Sequence, residues 1–232
     1  MAARVLIIGD SVAQGAVGDS TWRFRLWKLL EERHVAVDFV GPRTGEYDDR
    51  GTPDPSDDDF DDDRHYPDPD FDQDHAATWG GGMAHREGDF DIATLVADHD
   101  PDVVINAEGY NDLTFWKLAP GELVDLMARF VADVRAVRPA VDIVIGQLPQ
   151  MWAPGAVEYN ALLVDLATGL DTPESRVVVA PAPDDFSAAV DTYDGAHPTA
   201  AGEVKIAHQY AAALAVLDLP TDPAPGDEPS RR

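Results

Sequence analysis

The 232-residue chain contains no cysteine. That excludes a disulfide framework, a thiolate metal site and a cysteine nucleophile. Positive charge is scarce. Lysine occurs only at Lys28, Lys117 and Lys205, and 17 basic residues face 44 acidic ones, for a formal net charge of −27. Such a surface repels phosphate backbones and anionic lipid, so neither nucleic acid nor a membrane is an expected partner. Apolar runs fall well short of a bilayer span. The N-terminus, MAARVLIIGDS, has one Arg and a short apolar stretch that leads straight into a loop. This is not a signal-peptide pattern, and a cytoplasmic location is the expectation.

Apolar residues make up 44% of the chain, enough to bury a core in one ordinary domain. Arg4 to Gly9 is continuously apolar and ends in Gly, the pattern of a strand buried on both faces. Asp19-Ser20-Thr21 is a capping signal, and the apolar spacing after it predicts a helix over Thr21 to His34. Further strands are predicted at Val37–Val40, Val103–Ala107, Asp142–Gly146 and Arg176–Val179. Helices are predicted at Ile92–Asp98, Pro120–Arg138, Val157–Gly169 and from Thr199 to about Leu217. Strands thus alternate with helices about five times. That predicts a three-layer α/β/α sandwich with a parallel sheet of about five strands, whose chemistry collects at the C-terminal strand ends. Residues 1–217 form the expected single domain, and the Pro-rich tail 218–232 is expected to be disordered.

The stretch Gly41 to Gly82 breaks this rhythm and shows neither helical nor strand periodicity. Within it, Glu46 to Asp74 carries 14 acids and 2 Arg. A solvated acidic loop is the favoured reading. Calcium binding is the rival, because Asp68, Asp70, Asp72 and Asp74 alternate and Asp57 to Asp63 is almost continuous. The Gly and terminal Glu of a calcium-binding EF-hand loop are missing. His65, His75 and His85 lack metal-ligand spacing, and no cofactor is expected.

Four short segments follow predicted strands. Gly9-Asp10-Ser11, with Gly15 beyond, places a hydroxyl at a strand-to-helix turn. Asp194-Gly195-Ala196-His197-Pro198 supplies a base and, three residues earlier, a carboxylate to orient it. Gly109-Tyr110-Asn111-Asp112 offers a side-chain amide that can donate to an oxyanion. Thr78-Trp79-Gly80-Gly81-Gly82 offers a backbone N–H for the same purpose. Each alone reads equally as a turn. Together they make a nucleophile, a base with its orienter and two donors.

This set resembles the SGNH hydrolases, also called GDSL-type esterases and lipases. Their first block matches Gly9-Asp10-Ser11 with Gly15, the third matches Gly109 to Asp112, and the fifth matches Asp194 to Pro198. The second block is a single Gly, assigned here to Gly80 with Gly81 and Gly82 as alternatives. The resemblance spans Val5 to about Leu217. It implies a flavodoxin-like fold and a Ser11–His197–Asp194 triad, with an oxyanion hole from Ser11, Gly80 and Asn111. It implies a small-molecule ester as partner, with a carbohydrate O-acyl group included. Val12 stands where the family has Leu, and Glu108 stands where it usually has an apolar residue. Candidate substrate contacts are Asp10, Trp79, Glu108, Asp112, Phe115, Trp116 and Trp152, with Met151 beside the last. Two rivals remain: an acyltransferase using the same triad, and a non-catalytic binding module on the same fold.

Overall fold

Val5 and Ile7 point to one face of their strand and Leu6 and Ile8 to the other, and all four are buried. Such a strand needs a layer on each side. In the computed structural model, which describes residues 1–62, 66, 68–85 and 91–221, it has both. The chain runs β1 (Ala3–Gly9), α1 (Ser11–Gln14), α2 (Trp22–Glu32), β2 (Val37–Val40), β3 (Glu46–Asp48), a 3-10 turn (Pro55–Asp57), β4 (Asp59–Asp62) and β5 (Ala76–Ala77). It continues α3 (Ile92–His99), β6 (Val103–Ala107), α4 (Tyr110–Thr114), α5 (Pro120–Val137) and β7 (Asp142–Gly146). It closes with α6 (Ala156–Leu170), β8 (Val177–Ala180), α7 (Ala188–Asp191) and α8 (Ala200–Leu214).

The main sheet is parallel, in the order β2-β1-β6-β7-β8, with β5 added beside β1. From β1 the chain first builds outward to β2 and later crosses to β6 on the other side. The crevice at the carboxyl ends of β1 and β6 is therefore the topological switch point. One face packs Leu6, Ile8, Val104 and Ile143 under α3, α5 and α6. The other packs Val5, Ile7, Ile105 and Val144 under α2 and α8. There the Trp22 and Tyr210 rings stack at 4.4 Å. Each fully buried side chain of this size contributes about 1.5–3 kcal/mol. The helices start at the expected caps. Thr21 Oγ1 accepts from the Phe24 N–H, and Thr199 Oγ1 from the Gly202 N–H.

The acidic segment departs from the expectation of a stretch without strands. β3 and β4 pair antiparallel, and β5 pairs with Ile8 and Gly9 of β1. β2 pairs with the first half of β1, over Ala3 to Leu6, so β5 takes up the edge where β2 ends. The sequence hides these strands because they carry no apolar alternation. Their acids instead bond the backbone locally. Asp48, Asp49, Asp54, Asp59 and Asp68 each accept from the N–H two residues on. Arg50 ties β3 to β4 through Asp48, Asp59 and Asp62.

At the C-terminus, residues 218–221 are docked: the Ala36 N–H donates to the Pro220 carbonyl, and Thr221 bridges Val35. The remainder of the expected disordered tail lies outside the described residues. Among the described residues, no helix is long and apolar enough to cross a membrane.

Candidate active site

β1 ends at Gly9, where a Cβ would stand 2.4 Å from that of Ala13. Only glycine permits so abrupt a turn from strand into helix. Asp10 then caps α1, its Oδ1 accepting from the Val12 N–H at 2.9 Å. Ser11 is the first helical residue and stands at the sheet edge. Burial pushes the Asp10 carboxyl up to about 8, against the Val12 hydrogen bond and with help from the charges of Glu108 and Asp112.

The loop before α8 brings His197 to this turn. His197 Nε2 lies 2.9 Å from Ser11 Oγ, and His197 Nδ1 lies 2.6 Å from Asp194 Oδ2. Asp194 also accepts the N–H groups of Ala196 and His197 through Oδ1. Partial burial alone would raise the Asp194 carboxyl, but the hydrogen bonds from His197 and the two backbone N–H groups outweigh it. They hold the carboxyl below its usual range. An ionised Asp194 accepts the Nδ1 proton, which leaves Nε2 to accept from the Ser11 hydroxyl. The loop is held from behind. Gln150 Nε2 donates to the Ala196 carbonyl at 2.8 Å, and Trp152 Nε1 donates to the Gly195 carbonyl at 2.9 Å.

Asn111 and the glycine turn face one another across the crevice. Asn111 Nδ2 donates to the Gly81 carbonyl at 2.8 Å, using one of its two protons. The turn is placed by β5: the Thr78 N–H continues the ladder to the Gly9 carbonyl at 3.0 Å. The three glycines differ. Gly81 spends its N–H on the Thr78 carbonyl. Gly82 packs inward, and a Cβ there would meet Asp112 Oδ2 at 2.7 Å and Trp116 at 2.5 Å. Gly80 has φ of +77° and is exposed. Asp112 fixes the chain beyond the turn by accepting the N–H groups of Met83 and Ala84 at 3.0 and 2.8 Å.

The remaining candidates divide. Asp10, Glu108 and Asp112 are buried and serve the frame. Glu108 turns inward and accepts from Asn106 Nδ2 at 3.1 Å. Trp152 pins the base loop and stacks on Phe186. Phe115 is 75% exposed and meets Trp116 edge-on, while Met151 is also exposed. Trp79 lies against His197 itself, with centroids 4.6 Å apart and planes 9° off parallel.

Four residues were not expected. Tyr193 packs near-parallel to His197 at 5.7 Å, and Tyr47 stacks on Trp79 at 4.4 Å. Gln14 and the fully buried Arg23 bind the acidic segment to α1. Tyr193 and Gln14 lie within or beside the motifs, and that adjacency was the available signal. Tyr47 and Arg23 have none. A cavity of about 260 Å³ opens beside His197, walled by Tyr47, Trp79 and Tyr193 with Asp48 and Asp49 among its lining residues.

The alternating aspartates do not converge. Asp68 pairs with Lys28, and Asp72 accepts the Phe39 N–H. His75 is buried between the Gly45 carbonyl and the Ala77 N–H. Among the described residues, no group of three or more His, Cys, Asp or Glu is placed to hold a metal ion. His65 lies outside the described residues.

No protein-family model matches the chain, and no curated protein matches it. Solved structures do. An acetyl esterase mutant with acetate ion shares 22% identity over 92% of this chain and 96% of its own, with a TM-score of 0.75. A carbohydrate esterase family 3 protein from Talaromyces cellulolyticus shares 23% over 92% and 96%, with a TM-score of 0.74. The family 3 carbohydrate esterase of Clostridium thermocellum shares 21% over 93% and 96%, with a TM-score of 0.69. At these identities the likeness establishes the fold. It is the flavodoxin-like α/β/α sandwich that the sequence pattern predicts and that these solved structures share.

Proposed function

We infer that the chain is a serine esterase that removes a short acyl group, foremost acetyl, from the oxygen of a carbohydrate or another small alcohol. One observation carries this reading: the unbroken hydrogen-bonded line from Asp194 through His197 to Ser11 at a strand-to-helix turn. The names of the solved structures that share its fold support the substrate class. So does the cavity beside His197, whose size suits a small alcohol.

In acylation, Ser11 Oγ attacks the ester carbonyl while His197 Nε2 takes its proton. Asp194 holds the imidazole in the required tautomer and stabilises the imidazolium. The Ser11 and Gly80 N–H groups and the second Nδ2 proton of Asn111 receive the oxyanion. Collapse breaks the C–O bond, and His197 returns the proton to the departing alkoxide. In deacylation, water attacks the acyl-serine and gives a proton to His197. That proton returns to Ser11 as the carboxylic acid leaves.

The test is hydrolysis of a p-nitrophenyl ester series, acetate to long chain, by the wild type and by Ser11→Ala, followed by O-acetylated sugars. A rate that disappears in Ser11→Ala and peaks at acetate is expected. Equal rates for the two proteins would overturn the reading. Acyl transfer to an added alcohol exceeding hydrolysis would reassign the chain to the acyltransferases.

A further inference from the structure

Two hydrogen bonds hold His197, one at each ring nitrogen. Contacts on the ring faces restrain the imidazole further. Here Trp79 and Tyr193 lie near-parallel to the imidazole, 9° and 18° from its plane. Trp79 is itself fixed twice. Its N–H donates to Gln14 Oε1 at 2.6 Å, and its ring stacks on Tyr47, 13° from parallel. Tyr47 belongs to β3 of the acidic segment. Its hydroxyl donates to Asp58 Oδ2 at 2.6 Å, and its ring packs on Phe60 of β4 at 5.3 Å. Its backbone bonds Gly15 and Val17, just beyond the nucleophile helix.

We propose that the acidic segment is a positioning device for the base. Through the stacked rings Tyr47, Trp79, His197 and Tyr193 it holds the imidazole plane, and Trp79 and Tyr193 are positioning residues for His197. This rests on the esterase reading above. It assigns the segment a role other than a lid or a metal loop, and it gives Trp79, a wall of the cavity beside His197, a positioning role through the ring that lies against Tyr47 and His197. Aromatic rings suit the task better than aliphatic ones. The imidazole becomes a cation during acylation and deacylation, and an aromatic face attracts a cation.

The experiment compares Trp79→Phe, Trp79→Leu, Tyr193→Leu and Tyr47→Leu with the wild type. Three quantities are read: kcat and KM for p-nitrophenyl acetate, and the rate at which a fluorophosphonate labels Ser11. Circular dichroism and thermal melts verify the fold. In Trp79→Leu, kcat and labelling should both fall about tenfold, the scale of one cation–aromatic contact, with a smaller change in KM. Trp79→Phe should retain most of both. Tyr193→Leu and Tyr47→Leu should lose less than Trp79→Leu. The ring-current displacement of the His197 proton resonances should shrink in Trp79→Leu and persist in Trp79→Phe.

A raised KM with unchanged kcat and labelling in Trp79→Leu would make Trp79 a substrate contact and overturn the proposal. Equal activity of the Phe and Leu variants would overturn it as well. A wild type inert to both ester and fluorophosphonate would overturn the esterase reading, and this proposal with it. An active wild type matched by an equally active Trp79→Leu would overturn this proposal alone.

Discussion

Gln14 and Trp79 are 65 positions apart and joined at 2.6 Å, the Gln14 Oε1 accepting the Trp79 N–H. The other end of the same amide donates to the Phe60 carbonyl, also at 2.6 Å. One buried side chain, three residues after Ser11, thus holds both the glycine turn and the acidic hairpin. Replacing it by Leu strands the Trp79 N–H and leaves the Phe60 carbonyl with its bond from Arg43 Nη1. Gln14→Leu should lose about 1–3 kcal/mol of stability, read by urea unfolding. Its turnover should fall further than its melting temperature alone explains. A variant as stable and active as the wild type would refute the clamp.

Asn111→Ala removes a side chain proposed to donate to the oxyanion. Turnover should fall on the order of a hundredfold or more with little change in KM. Its bond to the Gly81 carbonyl is lost too, so the melting temperature should drop slightly. Steady-state kinetics decide the matter: a loss confined to KM would assign Asn111 to ground-state binding.

Asp112 is the acceptor for the buried Met83 N–H and the half-buried Ala84 N–H beyond the glycine turn. Asp112→Ala should lose about 2 kcal/mol or more, because both donors are stranded. Hydrogen exchange should quicken at Met83 and Ala84 before it quickens in β6. Unchanged exchange there would show that the turn is held by other contacts.

Asp10 predicts a pH dependence of a particular sign. Its folded-state carboxyl is raised to about 8 from an ordinary value of 3.8. Between these values the folded chain holds a proton that the unfolded chain has released. Stability from Asp10 is therefore full at low pH and is lost as pH rises towards 8, by up to about 1.4 kcal/mol per unit. Asp10→Asn cannot titrate and retains an oxygen to cap Val12. The melting-temperature difference between Asp10→Asn and wild type should become more positive from pH 4 to pH 8. A difference independent of pH would contradict the assignment.

The sequence made the middle of the main sheet legible because β1, β6 and β7 are buried on both faces and almost wholly apolar. Val37–Val40, Val103–Ala107 and Asp142–Gly146 occur as read, and the helices shift by up to three residues at their ends. Ser11, His197 and Asp194 could be picked out because Ser11 follows β1 within two residues and Asp194 and His197 lie three apart just before α8. The hairpin of β3 and β4 was not, because its acids bond backbone N–H groups and leave no periodic trace. Nor was Tyr47, since nothing in a one-dimensional pattern places it beside Trp79. The acids Asp10, Glu108 and Asp112 were read as substrate contacts on position alone. Their burial against backbone N–H groups and Asn106 is a three-dimensional fact.

The rung from Thr78 to Gly9 carries a mechanical consequence. The serine-bearing turn and the glycine-bearing turn leave adjacent strands of a single ladder, so a thermal displacement of that sheet corner carries both together and preserves their spacing. The histidine arrives on a separate loop, suspended from Gln150 and Trp152 on the far bank of the crevice. In the proposed mechanism, warming should part His197 from Ser11 before it parts the serine and glycine turns. Loss of catalysis on heating is then expected to begin at the joint between that loop and the ladder, before the core melts.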